Sequence, residues 1–207
     1  MIETNTRDLI FRHVQQQIGK LCQRENESFV RAALANLRRG IGKAPGSIPS
    51  VWEWTLSDLP DQVLSQSGEP TYGEWAIHTA MTLYAFHQQG KDIRTANMNT
   101  SKSLLGQGIR KLALARMKGQ GEQEEDQGVV RRFQAIVTSN SMSELSSHLK
   151  GIVQLLKAAD IPLDYSRLAV DLYEFQYPQN RNKVRLRWGQ EYYATNNMRK
   201  EEENESK

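Results

Sequence analysis

The stretch SMSELSSHLKGIVQLLKAAD, residues 141–160, carries the repeat of an amphipathic helix. Leu145, Leu149, Ile152, Leu156 and Ala159 recur at three- and four-residue steps, which stacks them on one face at 3.6 residues per turn. Ser141 and Glu144 precede the run at capping-box spacing, where each side chain can accept from the other's backbone N–H. No two-residue alternation of the strand kind interrupts it.

The same period extends outward in both directions. Upstream, Ile10, Val14, Ile18 and Leu21 form one stripe, and Val30, Leu34, Leu37 and Ile41 another, which ends at Gly40 in the position of a left-handed helix stop. TYGEWAIHTAMTLYAFHQQG, residues 71–90, pairs Thr71 with Glu74 as a second capping box and is apolar nearly all round, as a buried central helix must be. Downstream, Asp164 is placed to cap a helix whose apolar face is Tyr165, Leu168, Leu172 and Phe175. Only NKVRLRWG, residues 182–189, alternates, and one such piece cannot build a sheet. The expected fold is all-α.

Residues 119–127 lie in a glycine-rich acidic stretch that reads as a linker. It divides the chain into an N-terminal helical bundle over 1–118 and a C-terminal one over 128–195, with 196–207 as an apolar-free tail expected to be disordered. The 207 residues suffice for a core, and Cys22 stands alone, so an intramolecular disulfide or a multi-cysteine metal site is excluded and the thiol is expected to serve as a small core residue. No apolar run reaches membrane-spanning or signal-peptide length, which fits a soluble cytoplasmic protein without a membrane partner.

Residues 37–47, LRRGIGKAPGS, invite a phosphate-loop reading that their spacing refuses. A nucleotide loop needs four residues between its first and second glycine and then Lys before Ser or Thr, whereas Lys43 here precedes Gly46. Pro45 occupies the third-glycine position of the dinucleotide pattern. The four histidines, His13, His78, His87 and His148, form no metal motif, and His78 and His87 fall on opposite faces of their helix. Asp171 and Glu174 have the spacing of a catalytic pair but read as a solvated helical face. Trp52, Trp54 and Trp75 read as buried core residues rather than stacking platforms. No catalytic residue, cofactor or metal is expected.

Charge is distributed more tellingly than its net value of +3. No acid falls between Glu27 and Glu53, between Asp92 and Glu122, or from Gln127 to Ser143. These windows hold Arg31, Arg38, Arg39 and Lys43; Arg94, Lys102, Arg110, Lys111, Arg116 and Lys118; and Arg131 and Arg132. Arg39, Arg131 and Arg132 lie opposite apolar stripes, and Lys150 and Lys157 share the outer face of their helix. Such faces suit contact with a phosphate backbone, which positions a nucleic acid without reading its bases.

The ordered series LANLRRGIGKAPGSIPSVW, HTAMTLYAFHQQG, VVRRFQAIVTSNSMSELSSHLKGIVQLLKAADIPLDYSRLAVDLYEFQ and VRLRWGQEYY resembles the small subunit of the type I-E CRISPR surveillance complex Cascade, the CasB family. The resemblance runs from about residue 8 to 193 and implies two small helical bundles without catalytic activity. Its implied partners are the backbone and large subunits of Cascade, a second copy of the chain, and target DNA including the displaced strand, with CRISPR RNA contacted indirectly. It implies R-loop stabilisation through basic faces. By position, the double arginine ending the second helix corresponds to Arg38 and Arg39, and RRFQ to Arg131 and Arg132. Lys150 stands where relatives often carry arginine, which keeps charge but loses the guanidinium fork. Lys43, Lys102, Arg110 and Lys111 rest on local charge alone. A structural adapter that never touches DNA is the alternative.

Overall fold

The structure, a computed structural model, describes residues 5–116 and 126–194. Most of the expected acidic linker and the whole expected tail lie outside the described residues. Among these are nine helices: α1 (Thr6–Gln23), α2 (Glu27–Arg39), α3 (Trp52–Thr55), α4 (Tyr72–His87), α5 (Leu105–Ala115), α6 (Gln127–Thr138), α7 (Met142–Ala158), α8 (Tyr165–Phe175) and α9 (Arg181–Tyr193). An isolated parallel bridge between Asn99 and Leu163 is the sole extended pairing among them. The all-α expectation therefore holds.

Helix α4 is the pivot, because a helix apolar on every side needs neighbours on every side. It packs against α1, α2, α7 and α8, while α5 packs against α6 and α9. One apolar cluster draws on every helix, including all four members of the α1 stripe and the buried leucines and Ile152 of α7. Removing one such leucine to alanine costs about 2–5 kcal/mol in a packed core. Cys22, half-buried, packs against the same cluster. No helix of the described residues is long and apolar enough to cross a membrane.

The caps follow the sequence with one change. At α4 the box is complete: Thr71 Oγ1 accepts the Glu74 N–H at 3.1 Å, and Glu74 Oε2 accepts the Thr71 N–H at 2.7 Å. At α7, Ser141 Oγ accepts from Glu144, but Glu144 Oε2 accepts the N–H of Asn140 rather than that of Ser141. Asp164 caps α8 by accepting the Arg167 N–H at 2.8 Å.

Four expectations need correction. Gly40 is right-handed, with φ of −79°; its lack of a side chain matters because a Cβ there would stand 2.8 Å from Thr82 Cγ2 and 3.1 Å from His78 Cε1 on α4. The first left-handed glycine after α2 is Gly42, at φ +74°. Trp52 is 42 % exposed and Trp75 half-buried, leaving Trp54 as the buried member of the three. Asp171 and Glu174 do not form a solvated face: Asp171 is 1 % exposed and bound to α9. The alternating stretch is part of α9, where Val184, Trp188 and Tyr192 face inward at four-residue steps and Leu186 faces solvent.

Burial gives the fold a pH dependence. His13, whose ring nitrogens have no partner, is pushed down to about 4 by burial, aided by Lys20 and opposed by Asp58. His87, whose Nδ1 meets the Tyr165 hydroxyl at 2.8 Å, is likewise pushed down to about 4 by burial. Both folded values lie below the usual 6.5, so the stability from keeping these rings neutral is complete above pH 6.5 and is lost as pH falls toward 4. Glu191 acts oppositely: burial pushes it up to about 7, so its contribution is present below the usual carboxylate range and is lost as pH rises through 7. By pH 5 each histidine costs about 2 kcal/mol and Glu191 returns roughly half of the total. Urea unfolding should show wild type less stable at pH 5 than at pH 7.5. Glu191→Gln should be the more stable protein at pH 7.5, with its advantage over wild type shrinking as pH falls to 5; a pH-independent midpoint for wild type would contradict this.

Candidate nucleic-acid interface

The chain leaving α2 is held down on α4. Gly40, without a side chain, lets the backbone close on Thr82 and His78, and the Gly40 carbonyl accepts from His78 Nε2 at 3.0 Å. Burial pushes His78 below the ordinary histidine range, with the Gly40 and Lys43 carbonyls pulling the other way. The ring is therefore neutral at pH 7: Nε2 carries the proton, and Nδ1 is left as a buried acceptor without a partner. The left-handed turn at Gly42 follows, and it sets Lys43 at the mouth of a cleft.

That cleft has a volume of about 480 Å³ and three walls. One is the turn at residues 41–43. The second is the α4 face bearing Trp75, His78 and Thr82, and the third is the α7 face bearing Ser143, Ser146 and Lys150. Within each helix these residues are spaced by three or four, so each set shares one side. No carboxylate lines the cleft, and both Lys43 and Lys150 are exposed. Two cations and a row of serine hydroxyls form a setting for an anion.

The other sequence-predicted cations do not line this cleft. Arg38 is half-buried in the last turn of α2, where burial lowers its pKa, and the exposed Arg39 reaches Asn36 Oδ1 at 3.5 Å. Both suit the negative end of the helix dipole. Arg131 and Arg132 are exposed on α6, Lys111 is exposed on α5, and Lys102 is exposed in the turn before it. The Arg110 guanidinium lies over the Tyr192 ring, 5.4 Å from its centroid, so this side chain packs α5 onto α9. Lys157 lies over Phe86 at 4.8 Å and donates to Gln89, whereas Lys150, one heptad earlier, is free in solvent.

Folding also sorts the acid-free windows. Arg31 pairs with Glu27 at 2.6 Å, Arg94 donates to the carbonyls of Arg24 and Glu25 with Glu27 nearby, and Arg116 faces Asp126 at 3.7 Å. By contrast Arg38, Arg39, Lys43, Lys102, Lys111, Arg131, Arg132 and Lys150 form no ion pair among the described residues. The serine face of α7, Ser143, Ser146 and Ser147, escaped the sequence reading because a polar stripe opposite an apolar one is what any solvated helix shows.

A second polar centre lies between α8 and α9. Asp171 accepts from Arg187 at 2.6 Å and from the Trp188 indole at 2.8 Å, with Arg167 at 3.5 Å. Glu174 accepts from Arg187 at 2.6 Å and from Arg7 of α1 at 2.9 Å. Although burial would raise Glu174, Arg187 and Arg7 hold it below the usual range. These carboxylates are engaged in joining helices.

No curated protein sequence matches the chain. Among solved structures it is similar to CasB from Thermobifida fusca, at 30 % identity and a TM-score of 0.71 over 89 % of this chain and 98 % of that one. It is similar to CasB from Thermus thermophilus at 20 % identity and a TM-score of 0.62, over 89 % and 98 %. A chain of a structure described as a CRISPR RNA-guided surveillance complex matches at 20 % identity and a TM-score of 0.66, over 93 % and 98 %. The family model described as CRISPR-associated protein Cse2 matches residues 33–193, from within α2 to the end of α9, and so takes in every wall of the cleft. The chain belongs to the CRISPR-associated Cse2 family.

Proposed function

We propose that this protein is a non-catalytic small subunit of a CRISPR RNA-guided surveillance complex, and that it stabilises the R-loop by holding the backbone of the displaced strand. The observation that carries the reading is the carboxylate-free cleft, where Lys43 and Lys150 stand unpaired over the serine face of α7. Two lysines that share an anion site but no acid gain most from phosphate, and they hold it without regard to sequence. Exposed Arg39, Arg131, Arg132, Lys102 and Lys111, with half-buried Arg38, supply further backbone contacts. Membership of a surveillance complex is supported by the family and by the fold shared with a chain of such a complex.

A structural adapter that never meets DNA is the second reading, and one observation favours protein contact. Leu186 and Tyr193 are 62 % and 69 % exposed and lie seven residues apart on α9, forming an apolar strip suited to another subunit or a second copy. The two readings diverge on crosslinking. With photoreactive nucleotides in the displaced strand of a target-bound reconstituted complex, adducts should form on this subunit at peptides containing Lys43 or Lys150. An absence of adducts, with the complex assembled and the R-loop open, would leave the adapter.

A further inference from the structure

We infer that the cleft between α4, α7 and the 41–43 turn accepts one unpaired nucleotide, with its phosphate between Lys43 and Lys150 and its base against Trp75. This rests on the backbone-binding reading and adds a ligand shape to it. Phosphate contact alone needs no cavity, yet the lysines stand on the rim of one of about 480 Å³, a volume typical of pockets for small organic ligands. Its wall is largely apolar, with Ile41, Leu83 and the half-buried Trp75 ring forming a surface that phosphate cannot use and a planar base can.

A second observation points to the same occupant. His78 is 2 % exposed and lines the cleft; Nε2 donates to the Gly40 carbonyl, which makes Nδ1 an acceptor, and Nδ1 has no hydrogen-bond partner. A buried acceptor left open is costly, and the amino or imino N–H groups of a base edge are donors that could satisfy it. The charge matches as well, since cations without a carboxylate line the mouth while the interior is neutral. A base that remains paired in a duplex cannot enter such a cleft, so the site selects single strands over duplex through shape.

The test uses the full-length protein at low salt with three probes of equal length: a single-stranded oligonucleotide, the same backbone with its bases removed, and a duplex. Fluorescence anisotropy should show the single strand binding about tenfold tighter than the abasic strand, which corresponds to one stacked base. Trp75→Leu should abolish that difference. Because Trp75 contributes to packing, Ser146→Phe provides a second variant, filling the cleft from α7 with the α4 wall intact, and it too should equalise the two strands. Equal affinity of wild type for strand and abasic backbone would overturn the base pocket while leaving backbone binding standing. A preference that survives Ser146→Phe would also overturn it, by placing the base elsewhere. Failure to bind any of the three probes would overturn the backbone reading itself.

Discussion

Changing Lys43 and Lys150 together to alanine should lower the affinity for single-stranded DNA by about tenfold to a hundredfold at low salt and flatten its salt dependence. Each phosphate contact on a single strand releases roughly 0.7 of a counterion, so losing two should reduce the slope of log affinity against log salt by about 1.4. Both side chains are exposed and neither forms an ion pair among the described residues, so the unfolding midpoint should stay within about 0.5 kcal/mol of wild type. The informative control is Arg31 with Arg94. These residues also fall in acid-free windows of the sequence, Arg31 in the same one as Lys43, but Glu27 reaches both in the fold. Their replacement by alanine should change the affinity less than twofold. Titrations at several salt concentrations would decide the matter: equal losses for the two double variants would mean that general positive charge, rather than the cleft, holds the strand.

That contrast marks where one-dimensional reading ends. Windows without acids identify where cations accumulate, but Glu27 neutralises Arg94 from across the fold. The pairing of Lys43 with Lys150 is equally invisible in the chain, because it depends on Gly40 closing on α4 and on α7 lying alongside. Helices with a clean apolar stripe, such as α1, α7 and α8, were legible because burial imposes the helical period directly. Helix α5 was not, because glycine does part of its packing: a Cβ on Gly106 would stand 2.4 Å from the Trp188 carbonyl. A residue chosen for its absence of side chain leaves no hydrophobic signal. Gly40 misled for a related reason, since a glycine after a helix suggests a left-handed turn, whereas here it serves close approach.

The misreading of Asp171 leads to the largest expected loss of stability. An acid three residues before another on a helix is ordinarily solvated, but Asp171 is 1 % exposed and both its oxygens are occupied, one by Arg187 and the other by the Trp188 indole. Burial pushes its pKa up while Arg187, Trp188 and Arg167 pull it down, so the carboxylate depends on these partners for its charge. Asp171→Ala would leave the Trp188 N–H without an acceptor in a place where Trp188 is fully buried, and would leave Arg187 with Glu174 alone. Breaking a buried pair in this way costs about 3–5 kcal/mol, a large share of the stability of a single domain. Glu174→Gln should cost far less, because Glu174 is more exposed than Asp171 and its Arg7 partner is about half exposed. Denaturant unfolding would read the difference. If Asp171→Ala costs no more than Glu174→Gln, the α8–α9 junction is held by packing around Trp188 and Phe175, whose rings stack at 6.3 Å, and the ion pairs are incidental. Because neither Asp171 nor its partners line the cleft, strand affinity per folded molecule should be unchanged in both variants, which separates a destabilised subunit from one that has lost its binding site.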